Sequence, residues 1–181
     1  MLSKLKKLMV PFVAGYNEAA FWKLKRNIQN ANNIIIKSYY LRRYNLQSLK
    51  FGAYVGYNAK LEDIPTFPHS LFGVFISDLA IIGKNCVIFH HVTIGSNTLN
   101  DAKLQGAPTI GDNCYIGVGA KIIGNITIGN NVRIGANCVV TKDVPPNNTV
   151  VLPPPRLIER DNMDNRFVRI KRDDLAVIGG K

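Results

Sequence analysis

Every sixth residue along much of this chain is Ile or Val. The beat falls at Ile82, Ile88 and Ile94, and again at Ile110, Ile116, Ile122, Ile128, Ile134 and Val140. A helix repeats near 3.6 residues and a strand at 2. A period of six fits a strand that turns a corner at regular intervals, the signature of a parallel β-helix. β-branched residues suit the short strands and point inward. Gly and Asn suit corners that need left-handed backbone. Gly follows the beat at positions 83, 95, 111, 117, 129 and 135, and "GDN" (111–113) and "GNN" (129–131) read as such corners. Each coil stacks on the next and extends one apolar core.

The interruptions are informative too. Between Ile94 and Ile110 the beat is late by ten residues, so "SNTLNDAKLQGAP" (96–108) must leave the wall as a protruding loop. Long loops on rigid scaffolds often carry function. Cys86, Cys114 and Cys138 each lie four residues after a beat, in the register of Ala120, Ile126 and Val132. They read as small inward-facing core residues rather than a disulfide framework or zinc site, since no CxxC spacing accompanies them. Upstream, 18–45 has helical spacing and predicts a cap over the first open coil, while 51–64 reads as degenerate repeat. Prolines in "VPPNNTVVLPPPRLI" (144–158) end the pattern. The expected organisation is a basic, mostly helical cap over 1–50, a β-helix domain over 51–158 and a tail over 159–181.

Charge is unevenly placed. Residues 1–50 carry ten Lys/Arg against Glu18, residues 51–155 six against six, and residues 156–181 seven against five. The basic character therefore belongs to the N-terminal arm, which suits an anionic partner or a solvated helix face. No nucleic-acid motif accompanies it, so nucleic acid is not an expected partner. No apolar run is long enough to span a bilayer. "MLSKLKKLMVPFVAGY" is read as a short amphipathic segment rather than a cleaved leader, because its apolar stretch is short and holds Pro11. The expected location is cytoplasmic, with peripheral membrane contact through the basic N-terminus left open.

The run "FPHSLFGVFISDLAIIGKNCVIFHHVTIGSN", followed by "APTIGDNCYIGVGAKIIGNITIGNNVRIGANCVVTKDVP", resembles the hexapeptide-repeat, left-handed β-helix acyltransferases. The resemblance covers about 52–158 and is nearest to the serine acetyltransferase-like branch, which includes sugar and polysaccharide O-acetyltransferases. It implies a left-handed coil of three strands, a homotrimer with active sites between subunits, and acetyl-CoA as acyl donor with no metal. The acceptor would enter beside the protruding loop.

Acetyl transfer to a hydroxyl needs a base, donors for the oxyanion and alignment of the reactants. Neutral imidazole is a natural base. By the resemblance, His69 in "HSLFGVFIS" matches the family base, and His90 in "IFHHVTIG" is an acceptor-site residue or alternative base. His91, its strand neighbour, should face the other way. Val118, Gly119 and Ala136 match segments that line the CoA groove, and Lys142 and Arg156 are candidates for its phosphates. Four positions depart from the serine enzymes. Pro68 stands where an Asp precedes the base, Tyr54 where a supporting Asp lies, and Gly106 and Ala107 where an Arg and a second His lie. Glu62, Asp63 and Asp78 are candidate substitutes for the missing carboxylates.

These departures, with the short basic N-terminal region, lead to the expectation of a sugar hydroxyl on a polysaccharide or glycan precursor as acceptor. Serine O-acetyltransfer for cysteine synthesis is the alternative, and a non-enzymatic β-helix scaffold a more remote one. A carbonic anhydrase of this fold would need three metal-binding histidines on adjacent faces, and "GVGAKIIG" supplies none of the later ones.

Overall fold

The computed structural model describes residues 18–160 and 162–166. The amphipathic N-terminal segment and most of the C-terminal tail lie outside them. Two helices, α1 (Glu18–Asn30) and α2 (Ile34–Phe51), precede thirteen short strands, and every strand pairing is parallel.

The strands stack in three sheets. Face A holds β1 (Tyr54–Val55), β3 (Phe75–Ile76), β6 (Thr93–Gly95), β9 (Lys121–Ile123) and β12 (Val139–Val140). Face B holds β2 (Lys60–Leu61), β4 (Ile81–Ile82), β7 (Thr109–Ile110) and β10 (Thr127–Ile128). Face C holds β5 (Val87–Ile88), β8 (Tyr115–Ile116), β11 (Arg133–Ile134) and β13 (Thr149–Val150). The chain runs A to B to C and back to A. Regular coils are 18 residues long, as from Ile76 to Ile94 and from Ile116 to Ile134. The beat residues form the core: Ile82, Ile88, Ile94, Ile116, Ile122, Ile128 and Ile134 have no exposed surface. The three cysteines are buried beside them, and the Cys86 and Cys114 thiols donate to Gly111 O and Gly129 O one coil on. The neighbouring Cys114 thiol and burial push the Cys86 thiol up.

Three irregularities shape the molecule. Residues 96–108 leave the wall between faces A and B, and an antiparallel bridge from Asn97 to Gly106 closes the loop's base. The last coil is short, with 16 residues from Ile134 to Val150. The prolines do not stop the ladder as expected. Pro145 and Pro146 sit at a corner, where no strand N–H is required, and β13 adds a further strand to face C. The third irregularity lies early. Thr66 pairs with Val87, which places Phe67 level with Ile88. Nine positions separate Phe67 from Ile76, the inward residue of the next strand, where six separate Ile88 from Ile94. Three extra residues, 68–70, therefore swell the corner between faces C and A.

The corners fall at 111–113 and 129–131 as read, and the structure divides the work between their Asn and Gly. Left-handed backbone falls on Asn85, Asn113, Asn131 and Asn147, with φ between 55° and 61°, not on the Gly that follows each beat. Those glycines are needed because coils approach closely: a Cβ on Gly117 would lie 2.8 Å from Ile134 O.

Both helices close the N-terminal end. Asn33 caps α2 by accepting from the N–H groups of Ile35 and Ile36, and Gly52 at φ 54° ends it. Phe21, Trp22, Ile28, Tyr44 and Phe51 are buried in one cluster continuous with the first coil. That coil has an open edge of unpaired carbonyls, a feature that must be covered. α1 covers it with side chains: Lys25 Nζ donates to Tyr57 O (3.0 Å) and Ala59 O (2.8 Å), and Gln29 donates to Tyr57 O (2.9 Å). The Tyr44 hydroxyl donates to Val55 O.

Candidate active site

The swollen C-to-A corner carries His69. Its ring meets His90 edge to face at 5.1 Å between centroids, and His90 meets His91 at 5.3 Å. His69 is exposed and His90 half-buried. Phe89 lies 5.7 Å from His69 and 5.1 Å from Tyr115, so an aromatic wall borders the imidazoles on face C. His90 and His91 occupy a corner rather than a strand. His91 takes left-handed backbone (φ 59°), which turns its ring outward, yet the two rings stay in contact.

The corner repeats down the molecule. His91 N donates to Phe72 O, Gly119 N to His90 O, and Asn137 N to Val118 O. The pairs 90–91, 118–119 and 136–137 are thus stacked on successive coils, about 4.8 Å apart. His90, Val118 and Ala136 form one column, with Gly119 beside it. Small residues there leave the backbone open to close approach.

Several contributors have no signal in a six-residue pattern. Lys121 points out from face A and ties the column together, donating to Gly119 O (2.7 Å) and His91 O (3.1 Å). Gly73 leaves room for His91, whose Nδ1 lies 2.2 Å from where a Cβ would stand. Two buried polar atoms without partners, Ser70 Oγ and His90 Nδ1, belong to this same corner.

The candidate carboxylates do not serve the imidazoles. Asp78 accepts from Asn58, Asp63 from Asn85 N, and Glu62 lies 3.7 Å from Lys84. Among the described residues no carboxylate hydrogen-bonds to any of the three histidines, and no group of three His, Cys, Asp or Glu side chains could hold a metal ion.

Lys142 and the loop 96–108 lie between faces A and B, at the other edge of face A from the imidazoles. Within one chain they do not meet His69. Arg156 is exposed in the irregular stretch after β13.

Comparison with known proteins accords with this architecture. Residues 107–142 match the bacterial transferase hexapeptide (six repeats) family model. The chain is 52% identical over 90 residues to a probable serine acetyltransferase 5 of Oryza sativa subsp. japonica, which spans 50% of this chain and 26% of that protein. It is 40% identical over 91 residues to a serine acetyltransferase of Synechococcus elongatus, 50% of this chain and 36% of that protein. Among solved structures, the serine acetyltransferase of Neisseria gonorrhoeae in complex with serine is 36% identical, with a TM-score of 0.61 over 75% of this chain and 52% of that one. The chain thus spans about a quarter to a third of these curated relatives and about half of the solved one.

These relatives overturn the expectation of a sugar hydroxyl as acceptor, which rested on departures at four positions and on the short basic N-terminal region. Three of those positions lie where the coil is irregular: Pro68 opens the extra three residues, and Gly106 and Ala107 sit at the loop's base, while Tyr54 lies in β1. Repeat, coil and comparisons agree that this chain carries a left-handed, hexapeptide-repeat β-helix like that of the serine acetyltransferases it resembles.

Proposed function

We propose that this chain is an acetyl-CoA-dependent serine O-acetyltransferase. The observation that carries the reading is 52% identity over half the chain to a protein named for that activity, together with a likeness to a solved one holding serine. The geometry supplies the chemistry. The His69 imidazole takes the proton of the serine hydroxyl as its oxygen bonds to the acetyl carbon. The C–S bond of the thioester then breaks, and the CoA thiolate leaves with the proton returned by the imidazolium. His90, in ring contact with His69, holds the acceptor side of the site. Val118, Gly119 and Ala136 offer the pantetheine arm a column without bulky side chains, and Lys142 and Arg156 offer cations to the phosphates.

Lys142 and the loop lie at the opposite edge of face A from this column. A threefold ring brings one edge of each copy to the other edge of the next, so each site is completed by two chains. Exposed Tyr54, Phe75 and Val139 on the outer side of face A suit such a contact.

The test is CoA release from acetyl-CoA with and without L-serine, for the wild type, His69→Ala and His90→Ala. The expected result is saturable, serine-dependent release that falls on the order of 10²–10⁴-fold in His69→Ala. Release indifferent to serine overturns the substrate, and full activity in His69→Ala overturns the base.

A further inference from the structure

α2 turns an unpartnered face away from the β-helix. Ile35, Tyr39, Leu46 and Leu49 recur at helical spacing on that side and are 76%, 56%, 51% and 76% exposed. A shallow groove of about 340 Å³ runs along it, lined by Ser38, Leu41, Arg42, Asn45, Leu46 and Leu49. Exposed Arg42, Arg43 and Lys50 flank the apolar residues, and Arg43 rests on the Tyr39 ring and donates to its hydroxyl. α2 contains no Asp or Glu. Among the described residues, the ion pairs join Lys84 to Glu62 and Arg166 to Asp164, so none of these cations is neutralised.

An exposed apolar patch rimmed by polar residues marks an interaction surface. Charge decides the occupant. A second copy meeting this face about a twofold axis would set Arg42, Arg43 and Lys50 against themselves, with no acid on either helix. A nucleic acid would satisfy the cations and leave the Ile and Leu side chains in water. A sheet of anionic headgroups over acyl chains satisfies both, because apolar side chains enter the boundary while Lys and Arg stems reach back to the headgroups. The charge of the first fifty residues, ten Lys/Arg against Glu18, adds attraction of the same sign. We propose that the outer face of α2 is a docking surface for an anionic lipid bilayer, with Ile35, Tyr39, Leu46 and Leu49 entering the interface and Arg42, Arg43 and Lys50 contacting headgroups. No helix among the described residues is long and apolar enough to cross a membrane, so the contact is peripheral.

The experiment is co-sedimentation of the full chain with vesicles of phosphatidylcholine alone and of phosphatidylcholine with about one-third phosphatidylglycerol, at low and high salt. The wild type is expected to partition onto the anionic vesicles, with loss at high salt. Leu46→Glu/Leu49→Glu and Arg42→Glu/Arg43→Glu are each expected to weaken partition on the order of tenfold, the first by removing insertion and the second by reversing two headgroup contacts. Far-UV circular dichroism and melting of both variants verify that these exposed substitutions leave the fold intact. Equal partition onto neutral vesicles, no partition, or variants that bind like the wild type would overturn the proposal. The last result would assign any binding to residues 1–17. Sedimentation velocity without lipid adds a further outcome: a lower particle mass for Leu46→Glu/Leu49→Glu would mean that a second copy covers this face, and would overturn it too. None of these readouts depends on acetyl transfer.

Discussion

At Gly73 two demands meet in one residue. Its φ is +64°, a conformation that L side chains rarely adopt, and a Cβ there would meet His91 Nδ1 at 2.2 Å. Gly73→Ala should therefore cost about 1–2 kcal/mol in backbone strain alone and also displace the His91 ring. Gly52 gives the control, with φ +54° and nothing within 4 Å of a Cβ. Gly52→Ala should lower the melting temperature with little effect on serine-dependent turnover, whereas Gly73→Ala should lower both. Equal effects on turnover would show that the His91 contact is irrelevant to the site. Little of this was open to reading in advance. The six-residue beat marks inward positions, but Gly73 and Lys121 matter through what stacks on them from adjacent coils. His69 and His90 were legible as a pair because only three histidines exist and all fall within 23 residues.

Among the elements, α1 does an unusual task with a buried amine. Burial holds the Lys25 ammonium down to about 8 from its ordinary 10.5, with Asp78 opposing weakly. The unfolded chain therefore binds this proton more readily between about pH 8 and 10, and stability attributable to Lys25 rises with pH across that window. Lys25→Met should remove that rise, and it should also lower stability at pH 7 by leaving Ala59 O without its Lys25 donor and Tyr57 O with Gln29 alone. Melting curves of both proteins from pH 7 to pH 10 check both signs. A parallel slope in the two would show that the amine titrates alike folded and unfolded. That a helix precedes the coils was visible from spacing over 18–45. That its lysine closes the edge of a sheet was not, since this depends on which carbonyls the first coil leaves open.

For the whole molecule, the decisive fact is that the imidazole corner and the protruding loop occupy opposite edges of face A. A threefold assembly should appear in light scattering as three times the chain mass. Phe75→Glu, on the outer side of face A, should lower that mass and reduce serine-dependent turnover together. A variant that is monomeric yet fully active would show that each chain holds a complete site. The faces themselves could not be assigned from periodicity. Doing so means counting round the coil from its start, and Phe67, which is neither Ile nor Val and precedes Pro68, hides the face-C position of the first coil. The beats from Ile82 to Val140, each an Ile or Val, were legible, down to the burial of each cysteine, whereas the short last coil was hidden by its prolines.

The three extra residues at 68–70 have a consequence for how such a protein can change. A parallel stack tolerates no local difference in coil length along its strands, so every added residue must be expelled at a corner, and the proposed base, His69, is one of the expelled residues. Excising residues 68–70 would restore an 18-residue turn of regular wall. The product should melt no lower than the parent and should not turn over serine, a pairing that calorimetry and CoA release would reveal side by side. Regularity and reactivity are then alternatives at this one corner, and the repeat can drift towards a silent scaffold by a single small deletion.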